Sequence, residues 1–172
     1  GLAHLDLSSI GDKGVESLAG AIANCKALSH LGLSFGEIGD EGANTIAEAV
    51  GTWGCLSSLN LRHNKIGDKG VGVLAAALGQ CLALTQLELS FNEIGDDGLG
   101  LLAGALCKCT TLTDLRLSSH RVTNEGVKNL ACVLGGCKNL RSLVLLGSNI
   151  TRDGLQHFPE RFRGMASTRE RT

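Results

Sequence analysis

Six leucine triplets of the form L-x-x-L-x-L recur down the chain: Leu2/Leu5/Leu7, Leu28/Leu31/Leu33, Leu56/Leu59/Leu61, Leu84/Leu87/Leu89, Leu112/Leu115/Leu117 and Leu140/Leu143/Leu145. The first interval is 26 residues and the other four are 28. Each triplet is followed by a short loop, a string of the type I-G-D-x-G and an apolar stripe. A fixed period within roughly 20–50 residues marks stacked supersecondary units, none able to bury its apolar face alone. This excludes an ordinary globular core and predicts an open α/β solenoid of about six units.

The two halves of each unit have different periods. L-x-L alternates inward and outward residues, as a short strand does. The stripes Val15/Leu18/Ala19/Ile22, Ala43/Ile46/Ala47/Val50, Val71/Leu74/Ala75/Leu78, Leu99/Leu102/Ala103/Leu106 and Val127/Leu130/Ala131/Leu134 read i, i+3, i+4, i+7, one face of a helix. Asp12, Asp40, Asp68, Asp96 and Asn124 stand where the helices begin and are expected as N-caps. Asn24, Gly51, Gly79 and Gly135 stand where helices end, where a left-handed residue is favoured. Glycine recurs at 14, 42, 70, 98, 126 and 154, where a side chain is expected to hold the helix off the sheet. Strands pack ~4.8 Å apart and helices about 8–10 Å apart, so the stack must curve, with parallel strands on the concave side and helices on the convex side. Asn64 and Asn92, three residues past the last leucine of their triplets, can hydrogen-bond turning backbone. Gly36, His120 and Ser148 replace them elsewhere, which predicts looser turns there.

Composition narrows the function. Sixteen Lys and Arg stand against 17 Asp and Glu, a formal charge of −1, so neither nucleic acid nor an anionic membrane is an expected partner. No apolar run approaches the ~18 residues a membrane span needs. Of seven cysteines, Cys25, Cys81, Cys109 and Cys137 lie three residues before a triplet, a column Trp53 fills in the remaining repeat. Such a column reads as packing, with reduced cysteines and a cytoplasmic setting. Cys55, Cys107 and Cys132 show no pairing pattern and no zinc spacing. No phosphate loop or nucleophile elbow occurs, so neither an enzyme nor a cofactor is expected. Gly1 opens almost directly on the first triplet without a polar cap, so a segment of a longer protein is expected, with open ends able to self-associate. Leucine fails after residue 158, placing the repeat domain at 1–158. Residues 159–172, with Pro159 ending the helix, are expected as a flexible, mildly basic tail.

The string LSSLNLRHNKIGDKGVGVLAAALGQC, residues 56–81, resembles the ribonuclease-inhibitor-like class of leucine-rich repeats, and the likeness covers about residues 2–158. The uniform spacing is most similar to the arrays of NOD-like receptors and related intracellular proteins. The resemblance implies a leucine-rich repeat solenoid acting as a protein-recognition module. The alternatives are a sensing or regulatory repeat array of a NOD-like receptor and a Ran-type GTPase-activating protein; Ran GTPase-activating proteins share the repeat type but carry an acidic segment after it, where this chain has arginines.

Two surfaces could hold a site. On the concave face the outward residues include His4, Asp6, His30, Arg62, Glu88, Asp114 and Arg116, with Val144 and Leu146 apolar at the far end. Arg62 and Arg116 suit a protein interface, and Glu88 and Arg116 share a column and should pair. The alternative is a solvated face whose charges satisfy one another. At the strands' C-terminal edge Phe35, His63 and Phe91 share one position in successive repeats. Either these rings seal the core edge, or they line a rim open to a protein partner. His4, His30 and Asp6 are a weak metal set, read as exposed polar residues.

Overall fold

The computed structural model describes residues 1–22, 25–50, 54–106, 108–146, 149–163 and 166–167. Strand and helix alternate: β1 (His4–Asp6), α1 (Gly11–Ile22), β2 (His30–Gly32), α2 (Asp40–Val50), β3 (Ser58–Asn60), α3 (Asp68–Leu78), β4 (Gln86–Glu88), α4 (Asp96–Leu106), β5 (Asp114–Ser118), α5 (Asn124–Leu134), β6 (Ser142–Leu146), α6 (Arg152–Leu155), α7 (Glu160–Arg163) and β7 (Ala166–Ser167). The strands form one parallel sheet in sequence order, with equivalent leucines in register: Leu5, Leu31, Leu59, Leu87, Leu115 and Leu143. This is the α/β solenoid that the period predicts. The core runs continuously between sheet and helices. Among the described residues no helix is long and apolar enough to cross a membrane.

Three polar columns tie each unit to the next. Ser29, Ser57 and Thr85 each donate a side-chain hydroxyl to the carbonyl one repeat back, at 2.9–3.1 Å, and the Thr113 hydroxyl, 3.1 Å from the Thr85 carbonyl, is shared with Asp114. Asn64 Nδ2 donates to the carbonyls of Leu33 at 2.8 Å and Leu61 at 3.0 Å, while its Oδ1 accepts from the N–H groups of Gly36 at 2.9 Å and Ile38 at 3.0 Å. Asn92 repeats the pattern with Leu61, Leu89 and Ile66. In the fifth repeat His120 is exposed, and buried Ser119 takes over by donating to the Ile94 carbonyl at 2.6 Å. The turn at Gly36 is held by Asn64 of the next repeat. Ser148 lies outside the described residues.

The aspartates do not cap their own helices as expected. Asp40 and Asp68 are first helical residues, and each carboxylate reaches into the following repeat. Asp12 Oδ1 accepts from the N–H groups of Gly39 at 2.8 Å and Gly42 at 3.0 Å, and Asp40 Oδ1 from those of Gly67 at 2.7 Å and Gly70 at 2.9 Å. A helix start has unsatisfied N–H groups and positive partial charge, so each carboxylate caps its neighbour. The glycine column follows from this. A Cβ at Gly42, Gly98 or Gly126 would collide with the preceding unit's aspartate, and one at Gly70 would stand 2.6 Å from Asp40 Oδ1. The side chain that excludes it is thus the neighbour's carboxylate, not the sheet. The C-terminal expectation also needs correction: Gly79 and Gly135 are right-handed, at φ −65° and −57°. Asn24 and Gly51 lie outside the described residues.

The packed body continues past the expected boundary at 158. Phe158 and Phe162 are both 1 % exposed and join the core. Pro159 lies past the end of α6 and opens a new turn, its carbonyl accepting from Phe162 N–H at 2.8 Å. The Arg161 guanidinium donates to the carbonyls of Leu134 at 2.7 Å and Cys137 at 3.0 Å, a cation at the C-terminal end of α5 and the turn after it. β7 then pairs with β6 through Leu145–Ala166 and Leu146–Ser167. Leucine spacing cannot report this segment, because phenylalanine and arginine do the packing. At the other end Leu2 is 48 % exposed, and Leu5 and Leu7 are only half-buried where later equivalents are buried.

Cys109 and Cys137 are buried, Cys25 and Cys81 half-buried, and Cys55 and Cys132 exposed, all as free thiols. Trp53 and Cys107 lie outside the described residues. Burial, and then the neighbouring Cys109, push the Cys81 thiol up to about 11. The thiolate is the nucleophile. At about pH 8, iodoacetamide is therefore expected to label Cys55 and Cys132 at least about tenfold faster than Cys81. Peptide mass spectrometry over a time course checks this; equal rates would mean that Cys81 is not shielded.

Candidate functional site

The rim is built by one backbone device repeated. Ser9, Phe35, His63 and Phe91 follow their strands at φ 60°, 56°, 54° and 60°. A bulky side chain in this left-handed region is uncommon and costs on the order of 1 kcal/mol. Cross-repeat bonds hold it: the N–H groups of Phe35, His63 and Phe91 donate to the carbonyls of Arg62 at 3.0 Å, Ser90 at 3.0 Å and Ser118 at 2.7 Å. The turn throws each ring outward, and the repeat spacing stacks them. Phe35 and His63 lie 4.4 Å apart at 13°, and His63 and Phe91 4.3 Å apart at 1°. The Arg62 guanidinium sits 4.6 Å from the centre of the Phe91 ring. Phe35 remains 58 % exposed and Phe91 47 %, so the rings pack on one another in the open.

A charged column runs beside the rings, four residues after the last leucine. It reads Glu37, Lys65, Glu93, Arg121, alternating in sign. Lys65 meets Glu37 at 3.2 Å, and Arg121 meets Glu93 at 2.7 Å. All four side chains are substantially exposed, so each pair is worth only ~0–1 kcal/mol and serves mainly to set the charge pattern beside the rings.

The concave face holds a shallow depression of about 280 Å³, lined by Ser58, Asn60, Gln86, Glu88, Asp114 and Arg116. Glu88 and Arg116 stand opposite each other in register, yet among the described residues they form no ion pair. Glu88 instead turns along its own strand and accepts from Ser90 N–H at 2.7 Å. A nearby backbone donor needs less side-chain ordering than a cross-strand arginine. Asp114 accepts from the Thr113 hydroxyl at 2.6 Å, and Arg116 stays exposed. Of the residues singled out from sequence, Phe35, Arg62, His63 and Phe91 come together on the rim, and Glu88, Asp114 and Arg116 line the depression. His30 joins neither; at the start of β2 it stacks on His4, with ring centres 4.0 Å apart. Among the described residues no group of three or more His, Cys, Asp or Glu is placed to hold a metal ion. The hydroxyl column and the Glu37–Arg121 charges escaped the sequence reading, although both recur at the repeat period.

A repeating strand–helix unit with these columns defines a class, and the comparisons agree. A family model described as Leucine Rich repeat matches residues 24–47, 55–75, 80–103 and 108–131, more than half of the chain. The chain belongs to the leucine-rich repeat family. Among solved structures it is similar to the leiomodin-1 actin-binding site 2, at 21 % identity and TM-score 0.66, covering 79 % of this chain and 80 % of that one. It is also similar to the tropomodulin C-terminal domain of Caenorhabditis elegans, at 16 % identity and TM-score 0.66, covering 80 % and 84 %. These likenesses show a shared fold. No curated protein sequence matches significantly.

Proposed function

We propose that this chain is a non-catalytic scaffold of the ribonuclease-inhibitor-like class, binding a protein partner through its aromatic rim and the adjoining concave face. The observation that carries the reading is the exposed stack of Phe35, His63 and Phe91, held at a backbone conformation that bulky residues avoid. Core packing does not require a ring there, since exposed Ser9 fills the same column at the same backbone conformation. Exposed aromatic and arginine groups are the usual anchors of protein interfaces. The uniform 28-residue spacing supports a role within an array of the NOD-like kind, and the free described cysteines support a cytoplasmic setting.

The test is capture of partners by the intact natural protein from its own cells, comparing wild type with Phe35→Ala, Arg62→Ala and Phe91→Ala. At least one variant is expected to lose more than ~1 kcal/mol of binding, read as a shift in Kd for the captured protein. Actin is one defined arm, because a similar structure is titled as an actin-binding site. A small GTPase is another, and its hydrolysis rate is expected to stay unchanged. Partner binding untouched by all three variants would reject the rim.

A further inference from the structure

The ring column is open at one end. Phe35 carries His63 on one face, with ring centres 4.4 Å apart. Its other face looks toward the first repeat, where the column position is Ser9. Ser9 takes the same backbone conformation, and its N–H donates to the Phe35 carbonyl at 3.1 Å. Its hydroxyl turns to that same carbonyl at 3.4 Å. The column therefore continues in backbone but not in side chain. What remains is a slot bounded on one side by the outer face of Phe35, where one more planar group would continue the column, because neighbouring strands lie ~4.8 Å apart.

Charge selects what suits the slot. The Asp6 carboxylate lies over Gly32 on the sheet face, so the charge beside the slot comes from Glu37. Glu37, two residues past Phe35, has a side chain 76 % exposed, and its Lys65 partner belongs to the third repeat, on the side away from the slot. An aromatic floor with an acidic edge favours a planar cation over a compact ammonium or a neutral ring. The chain makes this contact twice itself: Arg62 over Phe91 at 4.6 Å and Arg161 over Phe162 at 4.5 Å.

We infer that the slot between Ser9 and Phe35 takes an arginine guanidinium of the partner protein, stacked on Phe35 with Glu37 supplying the opposing charge. This rests on the rim as the binding surface and names the side chain that surface reads. The full chain, labelled with ¹⁵N, is titrated with N-acetyl-arginine methylamide and with its lysine counterpart at equal ionic strength. Saturable shifts centred on Ser9, Phe35 and Glu37 are expected, about three-fold tighter for the arginine probe. Ser9→Phe fills the slot with a side chain that this backbone already carries at Phe35, and is expected to abolish saturation while leaving the rest of the spectrum in place. Equal response to both probes, or saturation surviving in Ser9→Phe, overturns the inference. In partner capture, loss with Ser9→Phe supports it. Retention by Ser9→Phe alongside loss by Phe91→Ala overturns the slot and leaves the rim standing. Retention by every rim variant removes both.

Discussion

Replacing Asn64 with alanine is expected to lower the unfolding free energy by about 3–5 kcal/mol, because each buried polar group left without a partner costs about 1–3 kcal/mol. Asn64 is 7 % exposed and serves two repeats at once. It satisfies the N–H groups of Gly36 and Ile38 and the carbonyls of Leu33 and Leu61. Alanine leaves three of them without that partner, the Leu61 carbonyl keeping Asn92 Nδ2 at 2.9 Å, and a water entering the space can recover only part. Chemical unfolding followed by circular dichroism measures the effect. The damage falls on one interface of a stack whose stability is roughly a sum over neighbours. The unfolding curve is therefore also expected to broaden or split. A loss below about 1 kcal/mol would mean that other bonds hold the turn.

Gly70→Val is expected to cost about 3 kcal/mol, the upper range for overpacking a well-filled site. A Cβ there stands 2.6 Å from Asp40 Oδ1, 2.9 Å from Ile66 Cγ2 and 3.0 Å from Ala43 Cβ. The carboxylate is not free to swing away, since it is anchored by the N–H groups of Gly67 and Gly70. Gly104 is the internal control. It lies within α4 with nothing inside 4 Å of an added Cβ, so Gly104→Ala should gain about 0.5–1 kcal/mol from reduced chain entropy and better helix propensity. Combining Gly70→Val with Asp40→Ala tests the cause. The double variant should be less damaged than the sum of the two singles by about 1 kcal/mol or more, because one collision is relieved. Strict additivity would place the clash on Ile66 and Ala43 instead.

Much of this was legible in the leucines. Period 2 within each triplet and period 3.6 after it specify strand then helix, and equal spacing specifies stacking in register, because each unit must bury its face on an identical neighbour. The Phe35, His63 and Phe91 column could likewise be read from position alone. What that column does could not, because it turns on a left-handed backbone held by bonds from the next repeat, and no local pattern encodes φ.

The misread features share one physical reason. Asp40 looks like an N-cap because it begins a helix, yet its carboxylate finds closer donors 27 and 30 residues ahead. Glu88 looks like a partner for Arg116, yet the nearer Ser90 N–H takes it. Phe162 and Arg161 look like a tail, yet they close the last repeat. Sequence by itself determined the unit, its repetition and which side chains face the core, because hydrophobic periodicity acts within a unit. The tertiary structure alone decided where each polar group finds its partner, because those bonds cross between units and the donor that wins is set by distance in space.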